Sequence, residues 1–212
     1  MPGSNKKYIV KYSVDKAAAF FLMVVCSPIL LAIILSITIE GLLFPASRGP
    51  LFVSEPRVSQ GKTFRFFKFR KVKRDVLEEI KENRTPGTYS FSEFQHNPGN
   101  LTFTGKILKK FYLDEFPQLL NVLKGDISLV GPRAHPPQVY KRELERGANF
   151  RQVMRSGLTG VVAITKGISR DQDKMDAEYY KKFLNYSSGK LLLYDMWIIF
   201  KTIELIFKAK GY

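Results

Sequence analysis

The chain has 212 residues, and 34 basic against 19 acidic side chains leave it a net charge of +15. That length allows one domain with a real core, and 45% hydrophobic residues exclude a disordered polyelectrolyte. The charge points to anionic partners: nucleic acid, lipid headgroups or phosphorylated substrates. A single cysteine, Cys26, excludes an internal disulfide, and His96 and His135 lie too far apart in sequence for zinc spacing.

The first element is an uncharged run from Ala17 to Ile39. It exceeds the roughly 18 apolar residues that mark a membrane helix. A removable signal has a shorter apolar core and a small-residue cleavage site, and a buried soluble helix shows a polar stripe. Neither description fits. Lys6, Lys7, Lys11 and Lys16 precede the run, and Arg48, Arg57, Lys62 and Arg65 follow it. Positive charge marks the cytoplasmic side, and one straight span cannot place both flanks there. Ser27-Pro28 sits near the middle, where proline bends a helix and serine can rebond freed backbone groups. The expectation is a re-entrant membrane helix bent at Ser27 and Pro28, within an N-terminal region 1–45 that precedes a second domain, 46–212.

Leu51–Glu55 and Thr63–Phe69 are rich in β-forming residues, with Ser59, Gln60 and Gly61 between them, which predicts a β-hairpin. In Thr63–Arg70 aromatic residues interleave with Arg65, Lys68 and Arg70, as in an ordinary amphipathic strand or in a phosphate-binding strip. Lys73–Glu82 reads as a surface helix and Asn83–Asn100 as a long polar loop. Apolar spacing over Ile107–Lys124, divided by Pro117, places a helix from near Asp114 to Lys124, closed by Gly125. Val139–Arg151 and Tyr179–Leu184 read as further helices. Leu191–Lys210 is amphipathic and suits either the membrane interface or the domain core. The fold class expected is α+β, predominantly helical, with a small hairpin and amphipathic interfacial helices.

The richest stretch is Tyr112–Arg133. Asp114 and Glu115 are adjacent carboxylates at a predicted helix start, where Asp is also a good cap. Arg133 follows, able to grip a phosphate through two parallel bonds. Acidic residues beside such an arginine commonly hold Mg²⁺, and a carboxylate can act as a nucleophile toward phosphorus.

The segment Leu113–Arg133, LDEFPQLLNVLKGDISLVGPR, resembles the central signature of the bacterial sugar transferases, the monotopic phosphoglycosyl transferases. Gly49-Pro50 through Arg57, Gly61, Phe64 and Lys68-Phe69-Arg70 are similar to the family's N-terminal catalytic block. Gly157-Leu158-Thr159-Gly160 resembles a later one, Asp195 with Lys201 and Thr202 fits the C-terminal helix, and Ser27-Pro28 fits its re-entrant helix. The likeness runs from about Lys11 onward, in the form of a minimal catalytic unit.

The resemblance implies transfer of a phosphosugar from a nucleotide sugar, usually a UDP-sugar, to a polyprenyl phosphate such as undecaprenyl phosphate. This is a first membrane step in glycoconjugate biosynthesis at the bacterial inner membrane, with the catalytic domain on the cytoplasmic face. It implies Asp114 as nucleophile forming a covalent phosphosugar, Glu115 with Asp114 at Mg²⁺, and Arg133, Lys68, Arg70 and Arg57 at substrate phosphates. It gives membrane lipid as a partner, no role for nucleic acid, and leaves a homodimer open. Three positions depart from the pattern: Lys71 stands for a serine, Ser156 for a proline, and a glutamine is missing around Ala163. A membrane-anchored nucleic-acid binder would instead need aromatic residues exposed for base stacking. A headgroup-binding scaffold would have to tolerate adjacent carboxylates against anionic lipid.

Overall fold

The computed structural model describes residues 5–82, 94–165 and 171–208. It is mostly helical, with two small sheets. Helix α1, Asn5–Val25, starts well before the apolar run, and α2, Ser27–Leu43, follows after a break at Cys26. The two helices meet at a bend of 62°. Pro28 lies in the first turn of α2, where no backbone N–H is needed. The Ser27 hydroxyl donates to the Val24 carbonyl at 2.7 Å, recovering an acceptor at the break. Among the described residues no single helix is long and apolar enough to cross a membrane; the bent pair reaches that length and apolarity together.

Strands β1, Phe52–Ser59, and β2, Lys62–Phe69, form the predicted antiparallel hairpin, with Phe52 opposite Phe69 and Ser59 opposite Lys62. Helix α3, Arg74–Glu82, follows; residues 83–93 of the predicted polar loop lie outside the described residues. The helix expected from Asp114 to Lys124 divides differently. Helix α4 covers Phe103–Lys110, a 3₁₀ turn covers Leu113–Glu115, and α5 covers Gln118–Lys124 with Pro117 as its cap. Asp114 and Glu115 therefore precede the helix by a turn, because Pro117 can start it but not sit inside it. Gly125 closes α5 at φ 85°, as expected.

Strand β3, Ser128–Val130, pairs in parallel with β4, Gly157–Thr159, a small sheet that the sequence pattern does not announce. Between them the single helix expected over Val139–Arg151 is two, α6 (Pro137–Glu145) and α7 (Phe150–Val153), separated at Gly147, whose φ is 82°. Helix α8 spans Val161–Ile164, α9 Gln172–Asn185 and α10 Ser188–Lys208.

The main core gathers Ala19 of α1, Leu119 and Val122 of α5, Val130 of β3, Phe183 of α9 and Ile198 of α10. The polar half of α1 joins it through buried ionic contacts. Lys11 donates to Asp195 at 2.6 Å, Ser128 donates to Asp15 at 2.5 Å, and Tyr179 donates to Asp195 at 2.7 Å. Charges this buried persist only when paired, so they fix the entry of the apolar hairpin relative to the domain. Helix α10 packs one side onto the domain core, as one of the two expected readings has it. Leu191 and Ile198 are buried, while Leu193, Met196, Trp197, Phe200 and Ile203 are exposed along the other side.

Candidate active site

Tyr112, at φ 57°, turns the chain out of α4 into the 3₁₀ turn that carries Asp114 and Glu115. The two carboxylates part company there. Asp114 is 2% exposed, while the Glu115 side chain is 32% exposed and faces a cavity of about 260 Å³. Each has a lysine of the hairpin strand or its exit beside it. Lys71 Nζ lies 2.6 Å from Asp114 Oδ2, and Lys68 Nζ lies 3.7 Å from Glu115 Oε1. The Lys71 contact is close but poorly aligned as a hydrogen bond, so it acts as an ion pair. Burial pushes the Asp114 carboxyl above the usual carboxylate range; the Lys71 ammonium opposes this and the Glu115 charge adds to it. Burial likewise lowers the Lys71 ammonium, against the pull of Asp114.

The cavity is walled by Arg57, Glu115, Gln118, Gly131 and Arg133 on one side and by Leu158, Gly160, Val162 and Met175 on the other. The β3–β4 edge forms its floor because Gly131, Gly157 and Gly160 approach without side chains. A Cβ on Gly157 would stand 2.1 Å from the Gly131 nitrogen, and one on Gly160 2.2 Å from its oxygen. Arg57 pairs with Glu55 and donates to the Ala134 carbonyl at 3.4 Å, and its Nε has no partner among the described residues. Arg133 is exposed at the rim, and its carbonyl is held by Arg151 Nε at 2.9 Å. Gln118 is fully buried and faces the cavity, and among the described residues neither end of its amide is hydrogen-bonded.

The description "Bacterial sugar transferase" matches residues 6–209. The chain belongs to the bacterial sugar transferase family. Its relatives include a UDP-N-acetylgalactosamine-undecaprenyl-phosphate N-acetylgalactosaminephosphotransferase of Aeromonas hydrophila, 30% identical over 95% of this chain and 44% of that one. The exopolysaccharide production protein ExoY of Sinorhizobium fredii is 31% identical over 96% of this chain and 88% of its own. The UDP-glucose:undecaprenyl-phosphate glucose-1-phosphate transferase of Escherichia coli K12 is 28% identical over 95% of this chain and 41% of its own. The chain thus spans less than half the length of several curated relatives.

In this sugar transferase the residues singled out in the sequence fall into two groups. Glu115, Arg57 and Arg133 meet at the cavity. Lys68 stands behind them against Glu115, and Asp114 lies beneath Glu115 off the cavity wall. Arg70 is elsewhere. Its guanidinium donates to the carbonyls of Pro50, Val72 and Ser47 at 2.9, 2.8 and 2.6 Å, so it clamps the junction after α2 and does not line the cavity. Sequence reasoning passed over Lys71 and Gln118. Lys71 did carry a signal, as a cation where the resembled pattern has serine. Gln118 carried none, because only the packing shows that its amide is unmatched.

For Mg²⁺ the residues fit in a limited way. Among the described residues no three His, Cys, Asp or Glu side chains converge. Mg²⁺ commonly takes one or two carboxylates plus substrate phosphates, and Glu115 at the cavity meets that need. Asp114 Oδ2 already faces an ammonium.

Proposed function

We propose that this chain is a phosphoglycosyl transferase that moves a phosphosugar from a UDP-sugar to undecaprenyl phosphate through a covalent Asp114 intermediate. The observation that carries the reading is the pairing of Asp114 and Glu115 with Lys71 and Lys68 beside a cavity that holds Arg57 and Arg133. The names of the Aeromonas and Escherichia relatives, both UDP-sugar undecaprenyl-phosphate transferases, support the substrate classes.

In the first step an Asp114 oxygen attacks the phosphorus that bears the sugar. The bond from that phosphorus to the bridging oxygen breaks, and the nucleoside monophosphate leaves with the bond electrons. In the second step a phosphate oxygen of the polyprenyl phosphate attacks the same phosphorus. The aspartyl bond breaks, the Asp114 carboxylate is restored, and a polyprenyl diphosphate sugar is formed. Two displacements let a soluble donor and a lipid acceptor use one site in turn. Arg57 and Arg133 bind and orient the diphosphate. Mg²⁺, held by Glu115 and substrate phosphates, would neutralise charge on the diphosphate.

The membrane setting rests on the bent α1–α2 pair, read as re-entrant, with the domain on the cytoplasmic face of the inner membrane. Phe103 and Phe111 of α4 and the apolar side of α10 are exposed, as suits helices lying in a bilayer interface. In the aromatic–basic strip of β2, Phe66, Lys68, Phe69 and Arg70 are buried, Phe64 and Phe67 half-buried, and Arg65 exposed.

The test is a panel of nucleotide sugars with undecaprenyl phosphate, scored for Mg²⁺-dependent release of nucleoside monophosphate. Asp114→Asn is expected to lower turnover by at least about 1,000-fold and to leave no labelled protein, as loss of a nucleophile does. Full activity of that variant, or no release from any donor by the wild type, overturns the reading.

A further inference from the structure

We infer that Lys71 is a positioning residue: its ammonium holds the Asp114 carboxylate in place for attack and screens the charge of the incoming diphosphate. This inference rests on the reading of Asp114 as nucleophile.

The two side chains are the most enclosed charged pair at the site, 6% and 3% exposed, with 2.6 Å between Nζ and Oδ2. By comparison Lys68 and Glu115 are 3.7 Å apart, and Glu115 is partly open to the cavity. One carboxylate oxygen of Asp114 is thus fixed by a cation that the chain itself supplies. Two anions must meet when a carboxylate attacks a diphosphate, and a preorganised cation offsets that repulsion most where water is excluded.

The backbone of Lys71 is fixed as firmly as its side chain. The Lys71 carbonyl accepts from Thr102 N at 2.9 Å. The start of α4 is pressed against it so closely that a Cβ on Gly105 would stand 2.1 Å from that oxygen. Thr102 in turn accepts from Gly105 N at 2.9 Å. Arg70, the preceding residue, is itself tied to the Val72 and Ser47 carbonyls at 2.8 and 2.6 Å. An ordinary surface lysine is not given such a mounting; this one is carried at a junction where β2, α4 and the end of α2 meet.

The experiment uses the full chain in detergent or nanodiscs. UDP-glucose and UDP-N-acetylgalactosamine labelled in the β-phosphate serve as probes, with no lipid acceptor, so that label stays on the protein. Lys71→Met is expected to slow formation of labelled protein about 100-fold at saturating donor, the scale for loss of one preorganised electrostatic contact. Donor affinity should change less than about threefold, and Lys71→Arg should recover at least about tenfold of the loss, because a charge is restored without the same geometry. A wild-type rate in Lys71→Met overturns the inference. So does a loss in Lys71→Arg as deep as that in Lys71→Met, with melting unchanged in both. If Lys71→Met does not fold, Lys71→Arg carries the test alone: a rate within about tenfold of wild type supports the role, and a loss as deep as Asp114→Asn with normal melting sinks it. Label trapped by Asp114→Asn removes the nucleophile assignment itself, which is a different result from a normal rate in Lys71→Met.

Discussion

The carboxylate of Glu40, near the end of the apolar hairpin, caps the first turn of α4 by accepting from Thr104 N at 2.9 Å. Its other oxygen accepts from Phe103 N at 2.7 Å and from the Ser47 hydroxyl at 3.0 Å. A helix start leaves backbone N–H groups without partners, and an anion there satisfies them and suits the helix dipole. One side chain thus ties α2 to the helix that leads into the 3₁₀ turn of Asp114. Glu40→Ala should cost about 1–2 kcal/mol, lowering the melting temperature by roughly 2–8 °C. Thermal melting in detergent by circular dichroism checks this, and an unchanged melt would show that the cap contributes nothing.

Arg70 and Arg133 should behave oppositely. Arg70→Lys removes a fork that serves three carbonyls, and buried acceptors are left unpaired at about 1–3 kcal/mol each. Its melting temperature should fall while donor KM stays within a few-fold of wild type. Arg133→Ala removes an exposed rim cation, so stability should hold while donor KM rises roughly 10-fold or more. Melting curves and initial rates on the two variants separate the cases, and the reverse pattern would reject this division.

Gln118 presents a buried amide to the cavity, and among the described residues neither end has a partner. Leaving such a group unsatisfied costs about 1–3 kcal/mol, which a substrate hydroxyl, amide or phosphate oxygen would recover. Gln118→Leu should therefore melt at or above the wild-type temperature and raise donor KM about 10-fold or more. A variant that loses stability and keeps KM would show the amide to be structural.

Asp176 sets a pH dependence. Arg151 serves both Glu143 at 3.0 Å and Asp176 at 2.8 Å, one guanidinium between two buried carboxylates. Burial pushes the Asp176 carboxyl up to about 7; Arg151 opposes the rise and Glu143 adds to it. The folded chain thus holds a proton that the unfolded chain releases near the ordinary value of 3.8. Stability falls wherever the folded state binds more protons, so this group removes stability as pH rises from about 4 to about 7. Asp176→Asn cannot titrate there. The melting temperature of the variant minus that of the wild type should increase from pH 4 to pH 8, and a constant difference would contradict the assignment.

Much of this protein was legible in its residue order because the relevant forces are local. An uncharged run flanked by lysines and arginines announces a long apolar helical element, and proline at Pro28 announces its break, since both follow from length, charge and a missing N–H. The hairpin of β1 and β2 shows in alternating β-formers around a glycine turn, and the motif from Leu113 to Arg133 carries the resemblance to the family in a contiguous stretch. Partner choice among buried charges is not local. Arg65, Lys68, Arg70 and Lys71 stand in one basic strip, yet Lys68 faces Glu115, Lys71 faces Asp114, and Arg70 is taken up by three carbonyls outside the cavity lining. The pairing of β3 with β4, and the buried Lys11–Asp195 contact across most of the chain, are equally silent in sequence. Hydrophobic pattern and charge decide what kind of elements form and where they lie relative to water. Which cation meets which carboxylate is decided only when packing removes the water that would otherwise serve them all.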